Sequence, residues 1–262
     1  MTLEELEDDE VPTTALDHFL GEGLITDVVR ILQTGKEASV HLCRANHSTT
    51  GEDLLALKMY HPLHRRDFRD ESIYRDGEWI KERRIRAALE KKTRFGRHVQ
   101  GAIWVNREWE TLGVLSSLGA PVPRPIARTE DAILMTYVGD EDDAAPQLRS
   151  VRPDPVLAQD LFEQVLRAVE LMLYANVIHG DLSAYNVLVW EGRATIIDLP
   201  QAVDPRKNRH APSLLERDVS RICDHLARFG VVARAGELAA DLWTAWQFAD
   251  LVPAELRTEL GI

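Results

Sequence analysis

His179-Gly180-Asp181-Leu182-Ser183-Ala184-Tyr185-Asn186 decides how this chain is read. A second carboxylate, Asp198, ends the apolar pair Ile196-Ile197 and precedes Leu199-Pro200. A carboxylate, an amide and a second carboxylate in that order suit phosphoryl transfer. The first accepts the proton of an attacking group, and the other two offer the hard oxygen ligands that Mg²⁺ takes. The spacing has a mechanical reason. Val187-Leu188-Val189-Trp190, the turn Glu191-Gly192-Arg193 and Ala194-Thr195-Ile196-Ile197 predict a β-hairpin. That hairpin folds the chain back, so that Asn186 and Asp198 can face one metal. An Asp and an Asn in solvated turns would explain D-x-x-x-x-N alone. His-Gly before it, the Val/Leu strand after it and the closing Ile-Ile-Asp weigh against that reading.

The composition is that of a globular protein: 262 residues, 45% hydrophobic and 28% charged. This length suits one large domain or two small lobes. No apolar run approaches the roughly 20 residues of a membrane span. Met1 to Glu10 is acidic and has no apolar signal core, so a cytoplasmic location is expected. Cys43 and Cys223 have neither metal-ligand nor redox spacing and read as free core thiols. A formal net charge of −12 argues against a broad nucleic-acid surface. Basic residues nonetheless crowd the segment Arg65–Arg97, interrupted by acids. Such a segment is read either as a solvated helix face or as a docking surface that orders on binding.

Outward from the central stretch, the chain alternates short strands and helices. A short helix is expected over Thr14–Leu20. Leu24 to Leu32 leads into the loop Gln33-Thr34-Gly35-Lys36-Glu37, followed by a strand Ala38–Cys43. His47 to Glu52 is a turn cluster, and Leu54–Tyr60 is the next strand. Lys58 interrupts that apolar strand, so it must either snorkel to solvent or meet an anion. Gly101 to Leu118 reads as a helix carrying Glu108, the candidate partner of Lys58, with Glu110 as the alternative. Strands follow at Ile126–Arg128 and Ala132–Val138. Asp154 caps, and Pro155 starts, an amphipathic helix that delivers the chain to His179. Pro212–Phe229 is a further helix, and residues 231–262 add one or two short ones.

Several of these segments resemble one family. Thr34-Gly35-Lys36-Glu37-Ala38-Ser39-Val40, His179-Gly180-Asp181-Leu182-Ser183 with Tyr185-Asn186, Ile197-Asp198-Leu199-Pro200-Gln201 and Glu216-Arg217-Asp218-Val219 resemble the signatures of the RIO-type atypical serine/threonine protein kinases. The likeness runs over residues 24–230. It is nearest to the Rio-one-type subgroup or a minimal bacterial member, although Asp198-Leu199-Pro200-Gln201 leans toward the other subgroup. The resemblance implies an α+β, bilobal, protein-kinase-like fold. An acidic extension (1–23) would precede a small β-rich N-lobe (24–138) and a compact helical C-lobe (139–262). It implies ATP and Mg²⁺, or Mn²⁺ in its place, as cofactors. Thr34, Gly35, Lys36 and Ser39 would line the triphosphate, and Lys58 would bind phosphates while paired with Glu108. Thr136 and Val138 would present hinge backbone beside the gatekeeper Met135. Asp181 would be the base, with Asn186 and Asp198 on the metal. Asp198 is also the residue that would receive a phosphoryl group in an aspartyl-phosphate route.

The implied activity is that of a serine/threonine protein kinase, an ATPase or both. Its partner would be an unidentified protein or ribonucleoprotein, with no membrane and no strong direct nucleic-acid signal. Two other classes compete: a small-molecule phosphotransferase of the aminoglycoside or choline kinase kind, and a nucleotide-gated binding protein with little turnover. The loop around Gly35 and Lys36 and the short chain after Asp198 favour the first.

Overall fold

The computed structural model describes residues 14–61 and 94–248. The acidic extension up to residue 13 and nearly all of the basic segment Arg65–Arg97 lie outside the described residues. The fold joins a five-stranded antiparallel sheet to a set of helices that carry a two-stranded hairpin. Chain order is α1 (Ala15–Gly21), β1 (Ile25–Thr34), β2 (Ala38–Ala45), α2 (His47–Thr50), β3 (Leu54–Tyr60), α3 (Arg94–Ser117), β4 (Pro125–Arg128), β5 (Ala132–Thr136), α4 (Pro155–Tyr174), β6 (Val187–Trp190), β7 (Arg193–Ile196), α5 (Ala211–Ala227) and α6 (Ala235–Gln247). The sheet runs β1-β2-β3-β5-β4. This is the expected α+β, bilobal, kinase-like arrangement.

Strand β3 divides the sheet's two faces by simple alternation. Leu55 and Leu57 bury outward against Cys43, Ala132 and Leu134, under the fully buried ring of Phe19 from α1. Ala56 and Tyr60 turn inward with Ile133 and Met135 toward Val105, Leu112 and Leu115 of α3, and join a core that continues through the helices. Lys58 falls on this inner face. Burial of a ring like Phe19 is worth about 1.5–3 kcal/mol, which holds α1 down as a lid on the outer face. Thr14 and Asp17 cap that helix reciprocally. Cys43 and Cys223 are free and buried.

Element boundaries depart from the sequence reading in places. Ile25–Thr34 is a full strand, but an edge strand with three register irregularities and little alternation in burial. A period of two is therefore absent from its sequence. Helix α3 begins at Arg94 rather than Gly101, since Phe95, Val99 and Ala102 extend the helical spacing of Val105 and Leu112 back through the basic stretch. The turn cluster after Ala45 winds once as α2 before Gly51 closes it at φ 74°.

The helical half positions the hairpin. Asp154 accepts from Leu157 N at 2.8 Å and caps α4. Its other end closes on Asn176, at φ 57°, with Val177 N donating back to Met172 O at 2.8 Å. Within α4, Gln164 grips the β6–β7 hairpin at two points: its Nε2 donates to Gly192 O (2.9 Å), and its Oε1 accepts from Ala194 N (2.8 Å). Glu191 and Gly192 both have positive φ, the requirement of a tight two-residue hairpin turn. The closing bond, Ile197 N to Asn186 O at 3.0 Å, brings the residue before Asp198 against Asn186.

Beyond β5 the chain turns at Gly139, whose φ is 136°. A Cβ there would lie 2.5 Å from Asp143 O and 2.7 Å from the Tyr137 hydroxyl. Gly139→Ala is therefore expected to destabilise the fold by at least about 1–3 kcal/mol, read by urea unfolding. A wild-type midpoint would contradict this account of the turn.

Candidate active site

Three elements meet at Lys58 of β3. Its Nζ lies 2.8 and 2.9 Å from the two carboxylate oxygens of Glu108 on α3, and 2.7 Å from Oδ1 of Asp198 after β7. Glu108 is 1% exposed and has two further donors. The Tyr60 hydroxyl donates to Oε2, and the Leu199 backbone N–H donates to Oε1 at 3.1 Å. Tyr60 also sets its ring 5.1 Å from the lysine nitrogen. The predicted lysine–glutamate pair is thus present, and Glu110 stays on the surface side, bonded to Asn106.

Burial alone would discharge these groups, and their mutual attraction decides the outcome. Burial opposes the Lys58 charge, but Asp198 and then Glu108 outweigh it and hold the ammonium above its ordinary pKa. Burial likewise opposes ionisation of Asp198, and Lys58 overcomes it, so this carboxyl sits below its usual value. Glu108 is raised, because burial there exceeds the pull of Lys58. Asp198 holds this position at φ 69°, a conformation that non-glycine residues adopt at a cost.

The stretch from His179 to Asn186 is braced from two sides. Burial keeps His179 below its ordinary pKa and hence neutral. Its Nε2 lies 3.0 Å from Ile197 O and its Nδ1 3.3 Å from Asp181 N. The carbonyl can only accept and the backbone N–H can only donate, so the proton sits on Nε2. One imidazole thereby ties the segment before Asp198 to that of Asp181. From α5, Asp218 accepts from Gly180 N (2.7 Å) and Leu182 N (3.1 Å). Burial pushes Asp218 up to about 7, against the pull of the Gly180 N–H, Arg217 and the Leu182 N–H. Asn186 donates through Nδ2 to Asp181 O at 2.9 Å. Arg221 of α5 meets Asp181 Oδ1 at 2.7 Å.

A cavity of about 370 Å³ opens between sheet and helices. Its walls are apolar (Leu32, Val40, Ala56, Leu112, Met135, Leu188), and Thr136, Tyr137 and Val138 form one edge. Gly35 and Lys36 line it, as do Lys58, Glu108, Asn186 and Asp198. Asp181 adjoins it through Asn186. Thr34 and Ser39 pair with each other across the β1–β2 ladder and are not part of the lining, and Ser39 Oγ lies 3.0 Å from His41 Nε2. Chemically, this is a flat apolar slot leading to a cation, an amide and two carboxylates. It suits a planar group with an anionic tail and a divalent cation. Among the described residues no cluster of three or more His, Cys, Asp or Glu side chains could hold a metal on its own. One amide and one carboxylate fit Mg²⁺, which completes its shell with phosphate oxygens and water. Tyr60 and Leu199 N were not singled out from sequence, and the brace Asp218 stood within the Glu216-Arg217-Asp218-Val219 signature without a role. Tyr60 carried a signal, two residues from Lys58 on the same strand face. A backbone donor such as Leu199 N carries none.

The family model described as RIO domain matches residues 41–238. Human serine/threonine-protein kinase RIO1 is 29% identical over 214 residues, covering 81% of this chain and 35% of that protein. The Haloferax volcanii RIO-type serine/threonine-protein kinase Rio1 is 30% identical over 237 residues, covering 88% and 73%. That of Thermoplasma acidophilum is 31% identical over 140 residues, covering 53% and 72%. The chain thus spans about a third of the human relative and nearly three quarters of the archaeal ones. Among solved structures, the Chaetomium thermophilum Rio2 kinase, in its ADP/Mg²⁺-phosphoaspartate complex, superposes with a TM-score of 0.61 at 23% identity, over 94% of this chain and 75% of that one. This likeness shows the fold.

The Asp218 brace has a pH signature. Its folded pKa of about 7 lies above the ordinary carboxylate range, so the folded state holds a proton that the unfolded chain has released. Its contribution to stability is complete below about pH 4 and is lost as pH rises to about 7. Asp218→Asn is expected to flatten that slope, and to cost about 1–3 kcal/mol by leaving one buried N–H without an acceptor. Chemical denaturation from pH 4 to 8 reads both, and an unchanged slope would contradict the assignment.

Proposed function

This chain belongs to the RIO domain family, and on that premise we propose that it is an ATP- and Mg²⁺-dependent phosphotransferase, acting as a serine/threonine protein kinase, an ATPase or both. The observation that carries the proposal is the ion cluster of Lys58, Glu108 and Asp198 at the inner end of the cavity. The nucleotide is held between an N-lobe of residues 24–138 and a C-lobe that begins at residue 139. Adenine enters the apolar slot beside Met135. Thr136 N already donates to Arg124 O (2.9 Å), so the Thr136 carbonyl and the Val138 N–H are the hinge groups offered to the base. Gly35 and Lys36 cover the phosphates, and Lys58, fixed by Glu108 and Tyr60, bonds to them. Asn186 gives its amide nitrogen to Asp181, which leaves its carbonyl oxygen, with Asp198, for the metal. Mg²⁺ so held would neutralise charge on the phosphates. Asp181 accepts the proton of the attacking hydroxyl or water.

A covalent route is favoured by the carboxylate of Asp198, which borders the cavity and stays ionised through Lys58. A carboxylate oxygen attacks the γ-phosphorus, and the bond to the β–γ bridging oxygen breaks. ADP leaves with the electron pair, and water or an acceptor hydroxyl then cleaves the aspartyl-phosphate. The Rio2 kinase of Chaetomium thermophilum, solved as a phosphoaspartate complex, supports extending this chemistry to the present chain.

Incubation with γ-labelled ATP and Mg²⁺ tests the proposal. Label should be released or transferred, and Lys58→Ala should slow this by about 10²-fold or more, the loss expected when a donor to developing charge is removed. Wild-type turnover in that variant would overturn the role of Lys58. Hydroxylamine-labile label mapping to Asp198 supports the covalent route. Label confined to serine in a substrate protein would leave Asp198 as a metal ligand only.

A further inference from the structure

The acceptor side of Asp181 differs in character from the rest of the molecule. The chain carries a formal charge of −12, yet the surface beside the catalytic loop is built from arginines. Arg149 donates its backbone N–H to Ala184 O at 2.9 Å and stacks its guanidinium 4.6 Å from the centre of the Tyr185 ring. Tyr185 is 58% exposed. Arg221 reaches Asp181 from α5, with side-chain exposures of 40% and 43% for the pair. One turn below, Arg217 donates to Gly180 O. Arg152 and Arg228 both act on His225, holding it below its ordinary pKa after burial has done most of that work. Asp224 is the acid on the neighbouring turn of α5.

The segment after Asp198 offers little room for an acceptor. Val203 is bonded in both directions to Ile178, and Asp204 is held by Arg206 and Lys207. Helix α5 then starts at Ala211. Arg221, paired with Asp181, and Arg149, stacked on Tyr185 four residues along the same loop, are both exposed.

We propose that Arg149, Tyr185 and Arg221 form the docking surface for the acceptor, and that the acceptor is an acidic polypeptide segment whose carboxylates flank the hydroxyl. The inference rests on the phosphotransfer reading of Asp181 and adds to it a substrate class. Arg221 has a specific part. A solvent-exposed ion pair such as Arg221–Asp181 is worth at most about 1 kcal/mol, so an incoming carboxylate can take the guanidinium over. Asp181 then faces the hydroxyl without a competing cation. Tyr185 supplies a flat surface for the peptide, kept in place by the Arg149 stack.

Binding tests this without turnover. A fluorescein-labelled peptide with a central serine among glutamates is compared by anisotropy with its glutamine and lysine counterparts. The expected result is at least about tenfold tighter binding of the glutamate peptide, weakening steeply as salt rises. Charge reversal in Arg149→Glu/Arg221→Glu should abolish or invert that preference, and the milder Arg149→Gln/Arg221→Gln should reduce it. The surface substitution Arg234→Glu, at the N-terminus of α6 where Arg234 pairs with Glu237, should leave it intact. Equal binding of all three peptides, binding of none, or a preference insensitive to these arginines would overturn the proposal. So would arginine-dependent capture of a short RNA oligomer in place of the peptide. A chain that selects the acidic peptide but never uses the γ-phosphate would contradict the catalytic reading and leave the docking surface standing.

Discussion

One buried ammonium joins the two halves of this protein. Lys58 belongs to the sheet, Glu108 to the helix behind it, and Asp198 to the strand end of the helical half. Lys58 and Glu108, with side chains 11% and 2% exposed, would each be costly there alone, while Asp198 reaches them from the half-open cavity side. Removing one partner of such a buried pair typically costs 3–5 kcal/mol, because the other charge is left without compensation. The cluster is therefore a geometric constraint before it is a chemical device. It fixes where β3, α3 and the β6–β7 hairpin stand relative to one another. Tyr60 and the Leu199 N–H fill the remaining acceptor sites on Glu108, so the carboxylate has one orientation.

The second half of the site depends on the first through a single imidazole and a single carboxylate. His179 connects Ile197 to Asp181, and Asp218 connects α5 to the backbone on either side of Asp181. Asp181, Asn186 and Asp198 are thus set by interior contacts, while Asn186 and Asp198 line the cavity and Asp181 stands at its rim. The positive φ of Asp198 fits this picture. Strain at that residue persists because bonds on both sides determine its position.

Much of this was legible in the sequence, for physical reasons that differ from residue to residue. A lysine in an apolar strand has few ways to exist, so Lys58 pointed to an anionic partner, and the next amphipathic helix offered Glu108. The hairpin after Asn186 was readable from its β-branched residues and its Glu-Gly turn, and with it the meeting of Asn186 and Asp198. Periodicity was silent for β1, an edge strand with irregular register. It was also silent for backbone donors such as Leu199 N, which have no residue identity. Ser39 shows the converse limit. It was assigned to the phosphate loop by resemblance, yet strand alternation turns it away from Ala38 and Val40, which line the cavity. Arg221 gave no signal at all, since only the fold brings α5 beside Asp181.

The central claim is that the Lys58 cluster reads the phosphates of a nucleotide held between sheet and helices. A crystal structure with Mg²⁺ and a non-hydrolysable ATP analogue tests it most directly. The account predicts the base on the Thr136 carbonyl and Val138 N–H, phosphate oxygens on Lys58 Nζ with the Glu108 bonds kept, and the metal between Asn186 and Asp198. A nucleotide bound elsewhere, or a Lys58 that keeps both carboxylates and touches no phosphate, would contradict it.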